Sequence, residues 1–186
     1  GRVVEDDVVF ILGTGTIGSI ILQTCKAKGC KTVICCDISD SSLERAKEYG
    51  ADYVINSKTQ DVVAEIQKIT DGHGCTVAFD SACFPGSLTM CLQPGILCYA
   101  GRMVPMGFCT EKEGITQAMI NQRELDIIGS RMSQDAFEPT IARMEKGEYI
   151  TEGIATTFIK FSEIDKVFHL MDHPDESAKK MVILFD

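Results

Sequence analysis

No stretch of the 186-residue chain approaches the roughly 18–20 consecutive apolar residues that a membrane-spanning helix needs. Nor is there a charged, then apolar, then small-residue leader of the secretory kind. No Lys/Arg cluster stands out, and 18 basic against 27 acidic residues give a net charge of −9. The phosphate-neutralising attraction that dominates nucleic-acid affinity is therefore missing. Neither nucleic acid nor a membrane is expected as a partner. The nine cysteines include no C-x-x-C pair, and several fall in apolar runs such as Val33-Ile34-Cys35-Cys36 and Ile96-Leu97-Cys98-Tyr99. Free cysteine behaves there as a small hydrophobe, so buried, reduced thiols in a cytoplasmic protein are expected rather than a disulfide or metal framework. Low-complexity segments and fixed-period repeats are absent too. A strand pattern begins almost at once after Gly1, which suggests an excised or processed piece of a longer protein.

What is present is alternation. Short apolar runs at Val8–Leu12, Thr32–Cys36, Tyr53–Ile55, Thr76–Asp80, Ile96–Ala100 and Leu125–Gly129 are separated by longer amphipathic stretches. That is the pattern of a parallel sheet covered on both faces. An α/β, doubly wound, six-stranded parallel sheet of the Rossmann kind is expected, with ligands outside the carboxyl ends of the strands. The first helix is expected from Ile17 to Lys28, with Ile17, Ile20, Ile21 and Thr24 on one face. Ser39 or Asp40 can cap a second helix that stops at Gly50. A third covers about Asp61–Ile69, and a short fourth lies between Pro85-Gly86 and Pro94-Gly95. Past Ser130 the pattern changes to a helix over about Ala136–Lys146, an extended Ala155–Phe161, a helix from Ser162 to Met171 closed by Pro174, and a strand Lys180–Phe185. Residues 1–154 form the expected sheet domain and 155–186 a helix-and-strand appendage.

The strongest local signal is Gly13-Thr14-Gly15-Thr16-Ile17-Gly18, directly after the first strand and opening the first helix. Gly13 permits a tight turn, Gly15 lets backbone approach a pyrophosphate, and Gly18 lets the helix pack closely on the strand. Thr16 and Ile17 begin the helix, whose unpaired amides and dipole favour an anion. Asp37 lies 19 residues beyond Gly18, at the end of the second strand, where a carboxylate can accept from ribose hydroxyls. It could instead merely cap the helix starting near Ser39. In that order, strand, turn, helix, strand and acid point to dinucleotide binding. A carboxylate there would repel a 2′-phosphate, and no cation nearby offsets it, so NAD(H) is expected over NADP(H).

Nearly the whole chain resembles the coenzyme-binding half of zinc-dependent medium-chain alcohol and polyol (sorbitol-type) dehydrogenases. The resemblance is carried by Asp7-Val8-Val9-Phe10-Ile11-Leu12 entering the glycine turn and by Leu43-Glu44-Arg45-Ala46-Lys47 leading to Tyr49-Gly50-Ala51-Asp52. It continues through Gln93-Pro94-Gly95, Arg123-Glu124-Leu125-Asp126-Ile127-Ile128-Gly129-Ser130 and Lys179-Lys180-Met181-Val182-Ile183-Leu184-Phe185. It implies hydride transfer between a secondary alcohol, of a polyol or sugar acid, and NAD. Zinc would be held by an N-terminal catalytic domain that this chain lacks, so the piece alone is expected to be inactive. Zinc-independent quinone reductases of the same superfamily usually carry Ala at the position of Gly13. That type of reductase and a stand-alone NAD(H) redox sensor are the alternatives.

The resemblance also assigns Ser81 and Ala82, after the fourth strand, to the adenosine side and Ala100 and Gly101, after the fifth, to the nicotinamide. Lys180 matches a basic position near the pyrophosphate. Two positions depart from the pattern: Ser42 replaces a common Arg, and Cys83 a usual Gly. Related dehydrogenases pair across the sixth strand, and Leu125–Gly129 is an apolar edge, so a homodimer through it is expected. His169 and His173 have metal-compatible spacing on one helix, but no further ligands accompany them, so surface or packing roles are expected. His73 sits in a polar turn, and Cys35 and Cys36 should face opposite sides of a strand.

Overall fold

Thr76, at the edge of a buried polar cluster, shows how the sheet is assembled. Its hydroxyl donates to Asp7 Oδ1 at 2.6 Å, while the Val8 amide donates to Thr76 Oγ1 at 3.1 Å. These bonds lock the first strand, β1 (Val8–Leu12), beside β4 (Cys75–Asp80). The computed structural model describes residues 1–133, 135–173 and 180–185. Two compact units divide at Tyr149/Ile150, a few residues before the expected boundary at 154/155.

The first unit is a doubly wound Rossmann fold. Its other strands are β2 (Thr32–Asp37), β3 (Tyr53–Asn56), β5 (Leu97–Pro105) and β6 (Asp126–Ile127), in the order β3-β2-β1-β4-β5-β6 and all parallel. The chain reverses direction of travel at β1, whose neighbours are β2 and β4. That makes the carboxyl end of β1 the switch point where such sheets hold ligands. The central strands are apolar on both faces: Val9, Phe10, Ile11, Val33, Ile34, Cys35 and Cys36 are all fully buried.

Helices α1 (Thr16–Ala27), α2 (Asp40–Glu48), α3 (Val62–Ile69), α4 (Ser87–Cys91) and α6 (Phe137–Glu145) match expected segments, and α5 (Gln117–Asn121) is an addition. Asp61 caps α3 by accepting from the Ala64 amide, and Thr116 caps α5 through Met119. Ser39 stands at the N-cap of α2 without a side-chain bond to it. The face of α1 differs from expectation. Gly18, Leu22 and Cys25 turn inward, whereas Ile17 and Ile20 are 49% and 40% exposed. Gly18 dictates this rotation, because only a residue without a side chain fits against the turn.

Strand β5 runs on to Pro105, past the expected end at Ala100. A register shift against β4 falls between Cys75 and Val77, and Ala100 takes a φ of +54°. The chain bulges at Ala100-Gly101 and then resumes pairing from Arg102 to Pro105. Arg102 is a charged residue in mid-sheet. Its guanidinium forms an ion pair with Asp7, and also donates to the carbonyls of Gly1 and Arg2. Strand β6 is two residues long rather than five, and Leu125 is buried instead of lying on the edge.

The second unit, Ile150–Asp186, is a parallel β-α-β turn of chain. It comprises β7 (Thr157–Lys160), a 3₁₀ turn (Phe161–Glu163), α7 (Asp165–Asp172) and β8 (Met181–Leu184). It carries a two-stranded sheet of its own rather than extending the larger one. Pro174, expected to close α7, and Lys179 lie outside the described residues.

Candidate dinucleotide site at the switch point

The three glycines of the turn have separate jobs. Gly13 takes a φ of +87°, and a Cβ there would stand 2.8 Å from the Ala82 backbone nitrogen. A Cβ on Gly18 would stand 1.9 Å from the Gly13 carbonyl oxygen. Gly15, in contrast, has nothing within 4 Å of where its Cβ would be. Two glycines are thus required by the protein's own packing, and the third keeps a surface clear. Gly15 is also the N-cap of α1 and offers no side chain to its amides. The first amides of a helix have no intrahelical acceptor, and no acidic residue stands in this first turn to compensate them. Thr16 and Ile17 begin the helix there, so the turn presents amide donors and the positive end of a dipole to solvent.

Ser81 is fastened to the same turn. Its hydroxyl is 3.0 Å from the Leu12 carbonyl and 2.6 Å from that of Gly13. The loop that carries Ser81, Ala82 and Cys83 is shaped by Asp80. Its Oδ1 accepts from the Ala82 and Cys83 amides at 3.2 and 3.1 Å, and its Oδ2 from the Ser87 hydroxyl at 2.6 Å. Cys83 has a φ of +52°, the left-handed conformation that glycine adopts most easily. That accounts for a glycine as the usual residue there.

Asp37 closes the other side. Its Oδ2 accepts from the Thr14 amide at 2.7 Å and the Thr14 hydroxyl at 3.0 Å. Its Oδ1 accepts from the amides of Ile38 and Ser39 at 2.8 and 3.0 Å. The acid therefore ties the glycine turn to the end of β2 as well as steadying the entry to α2. Ser42 is buried on the inner face of α2.

The structure brings Gly13, Gly15, Thr16, Ile17, Gly18, Asp37, Ser81 and Ala82 together at the carboxyl ends of β1, β2 and β4. Ala100 and Gly101 are not there, which corrects their expected place after the fifth strand. They form the bulge near the amino end of β5, where a Cβ on Gly101 would meet Leu97 Cγ at 2.7 Å. The residues that do end β5 are Val104 and Pro105, with the Met106 amide donating to the Asp80 carbonyl at 2.9 Å. Sequence reasoning missed them because Gly101-Arg102 looks like a strand ending. The apolar run Met103-Val104-Pro105-Met106 was the available signal. A cavity of about 220 Å³ opens beside them, lined by Asp80, Cys83, Pro105, Gly107 and Glu113 among others. Glu113 accepts from the Thr89 amide and hydroxyl at 2.6 and 2.7 Å. Although burial acts to raise its pKa, these bonds hold it below the usual carboxylate value. Lys180 belongs to the second unit, where its amide donates to Thr156 Oγ1 at 3.1 Å.

All nine cysteines are free. Six are buried, Cys83 and Cys98 are half-buried, and Cys109 is exposed, so the expected burial holds for Cys35 and Cys36 but not for Cys98, although it lies in β5. Burial pushes the thiols of Cys25 and Cys36 up to about 12, and raises Cys35, Cys75 and Cys91 as well. The His169 and His173 rings meet edge-on, centroids 4.7 Å apart. Among the described residues no three His, Cys, Asp or Glu side chains are grouped to hold a metal ion. No helix among them is long and apolar enough to cross a membrane.

A glycine turn of this construction at the switch point of a parallel sheet defines a dinucleotide-binding class of fold. Residues 16–146 match the family described as zinc-binding dehydrogenase. The starvation-sensing protein RspB of Escherichia coli K12 is 33% identical over 187 residues, covering 100% of this chain and 54% of RspB. Sorbitol dehydrogenase of Halalkalibacterium halodurans is 29% identical, over 89% of this chain and 48% of the enzyme. A crystal structure of a short chain alcohol dehydrogenase (RspB) from E. coli CFT073, complexed with cofactor NADH, superposes with a TM-score of 0.90. It is 31% identical and covers 100% of this chain and 54% of that one. The chain belongs to the zinc-binding dehydrogenase family. It spans about half the length of the relatives it matches.

Proposed function

We propose that this chain is the NAD(H)-binding part of a zinc-type medium-chain alcohol dehydrogenase. The whole enzyme would oxidise a secondary alcohol of a polyol or sugar acid. One observation carries the binding assignment: Gly15 is kept clear at the uncapped N-terminus of α1 although the neighbouring glycines are packed tight. Bound NAD would supply the hydride acceptor, C4 of its nicotinamide. Gly13, Gly15, Thr16, Ile17 and Gly18 would hold the pyrophosphate. Asp37 would take the adenosine ribose. Ser81 and Ala82 would fix the wall of the site, and Pro105 and Met106 would border the nicotinamide. The polyol assignment draws on the sorbitol dehydrogenase relative.

The zinc that the family name implies finds no ligand set among the described residues, so no step is assigned to it on this chain. Its ligands would lie in a catalytic domain outside these residues, in a cytoplasmic enzyme. The direct test is an assay of this chain with NAD and a panel of polyols, beside an NADH titration. Binding without turnover is the expected outcome; steady turnover by this chain alone would contradict it. A homodimer through β6 is also proposed, because Ile127 is 39% exposed on that short edge strand. A monomeric mass by light scattering at tens of micromolar would count against it. A second reading, a stand-alone NAD(H) sensor, is favoured by the name of the RspB relative. It predicts that the natural full-length protein binds NADH yet contains no zinc.

A further inference from the structure

Asp37 has no acceptor position to spare. A carboxylate offers about four lone-pair sites. Those of Asp37 are taken by the Ile38 and Ser39 amides on Oδ1 and by the Thr14 amide and hydroxyl on Oδ2. A ribose hydroxyl can therefore bond to this carboxylate only by displacing a donor already in place. Three of the four are backbone amides, and displacing one would leave an N–H without a partner, which is costly in a closed turn. The fourth donor is different. A side-chain hydroxyl rotates about its own bond, so it can turn its proton away without moving the backbone of the turn. Thr14 is 1% exposed, so water does not compete for its hydroxyl. Its backbone stays anchored if the hydroxyl turns, because its amide holds Asp37 and its carbonyl accepts from the Ser19 hydroxyl at 3.1 Å.

We propose that the Thr14 hydroxyl is a placeholder for the coenzyme: it holds, on Asp37 Oδ2, the acceptor position that the 2′-hydroxyl of the adenosine ribose takes on binding. The proposal rests on the assignment of Asp37 to the ribose. In the exchange one O–H···O⁻ bond breaks and another forms, with no proton transferred. Thr14 thereby tempers coenzyme affinity, since each binding event must first release this bond. It is a positioning residue whose effect passes through Asp37. A 2′-phosphate has no hydroxyl to donate, so NADPH gains nothing when the placeholder is removed.

The test is fluorescence titration of NADH and NADPH with wild type, Thr14→Val and Thr14→Ser, each checked by thermal melting. Valine keeps the branched shape and the amide but removes the hydroxyl. Thr14→Val should bind NADH about three- to tenfold tighter than wild type, the range spanned by one displaced hydrogen bond. Thr14→Ser should stay within about twofold of wild type, and NADPH affinity should not improve. With 2′-deoxy-NADH, which lacks the incoming hydroxyl, wild type and Thr14→Val should bind alike. A folded Thr14→Val that binds NADH no tighter than wild type overturns the proposal. So does an equal gain with 2′-deoxy-NADH. Thr14→Ala gives the same comparison if the valine variant does not fold. If wild type binds no NADH at all, the coenzyme assignment itself fails, and the placeholder falls with it.

Discussion

Gly18 faces the Gly13 carbonyl so closely that a methyl group on Gly18 would lie 1.9 Å from the oxygen. The obstacle is backbone, so it can yield only if the turn or the helix moves. Gly18→Ala should therefore destabilise the fold by at least about 1–3 kcal/mol, the usual cost of overpacking. Urea unfolding checks it; a variant as stable as wild type would show that the turn yields without cost.

Asp7 and Arg102 supply a second prediction, about acid. Burial alone would raise the Asp7 pKa, but bonds from the Thr76 hydroxyl, the Val4 amide and Arg102 outweigh it and hold the carboxyl below its ordinary 3.8. The stability this contributes is fully present above that value. It is lost as pH falls through the lower folded-state value. Wild type should thus lose stability steeply below about pH 4, and Asp7→Asn should flatten that part of the curve. At neutral pH the same substitution strands Arg102 and should cost about 3–5 kcal/mol. Chemical denaturation between acid and neutral pH reads both effects. An Asp7→Asn protein with the wild-type acid limb would contradict the assignment.

The six strands and the glycine turn were legible because both rest on local chemistry: apolar runs between amphipathic stretches, and a turn only glycine can make. What was not legible depended on distant partners. Arg102 fell beyond the expected strand end at Ala100 because its counter-charge, Asp7, lies 95 positions away in sequence, just ahead of β1. The bulge at Ala100-Gly101 displaced the expected nicotinamide contacts for the same reason. Ile17 and Ile20 looked like core because apolar spacing cannot reveal that Gly18, with no side chain at all, sets which face of α1 turns inward. Asp37 was legible as a candidate, but its two bonds from Thr14 were not, since Thr14 lies 23 positions away in sequence.

The role proposed for Asp37 extends to coenzyme choice. Its carboxylate can accept from ribose hydroxyls and would repel a 2′-phosphate, while the buried Ser42 supplies no compensating cation. Wild type should prefer NADH over NADPH by at least about tenfold, or about 1.4 kcal/mol. Asp37→Ser should narrow that gap. It should also loosen the glycine turn, because the Thr14 amide and hydroxyl lose their acceptor. Equal affinity of wild type for the two coenzymes would leave Asp37 with only its structural tie.

The most direct test of the account is an NADH titration of wild type and Gly15→Val. Gly15 has a φ of −66°, open to any residue, and empty space where a side chain would go. The variant should therefore fold with wild-type stability, in contrast to Gly18→Ala. Its side chain would fill the surface kept clear for the pyrophosphate. The prediction is clear NADH binding by wild type and at least about tenfold weaker binding by a fully folded Gly15→Val. Unchanged NADH affinity in that variant would mean the glycine turn is only a device for packing α1 against the sheet.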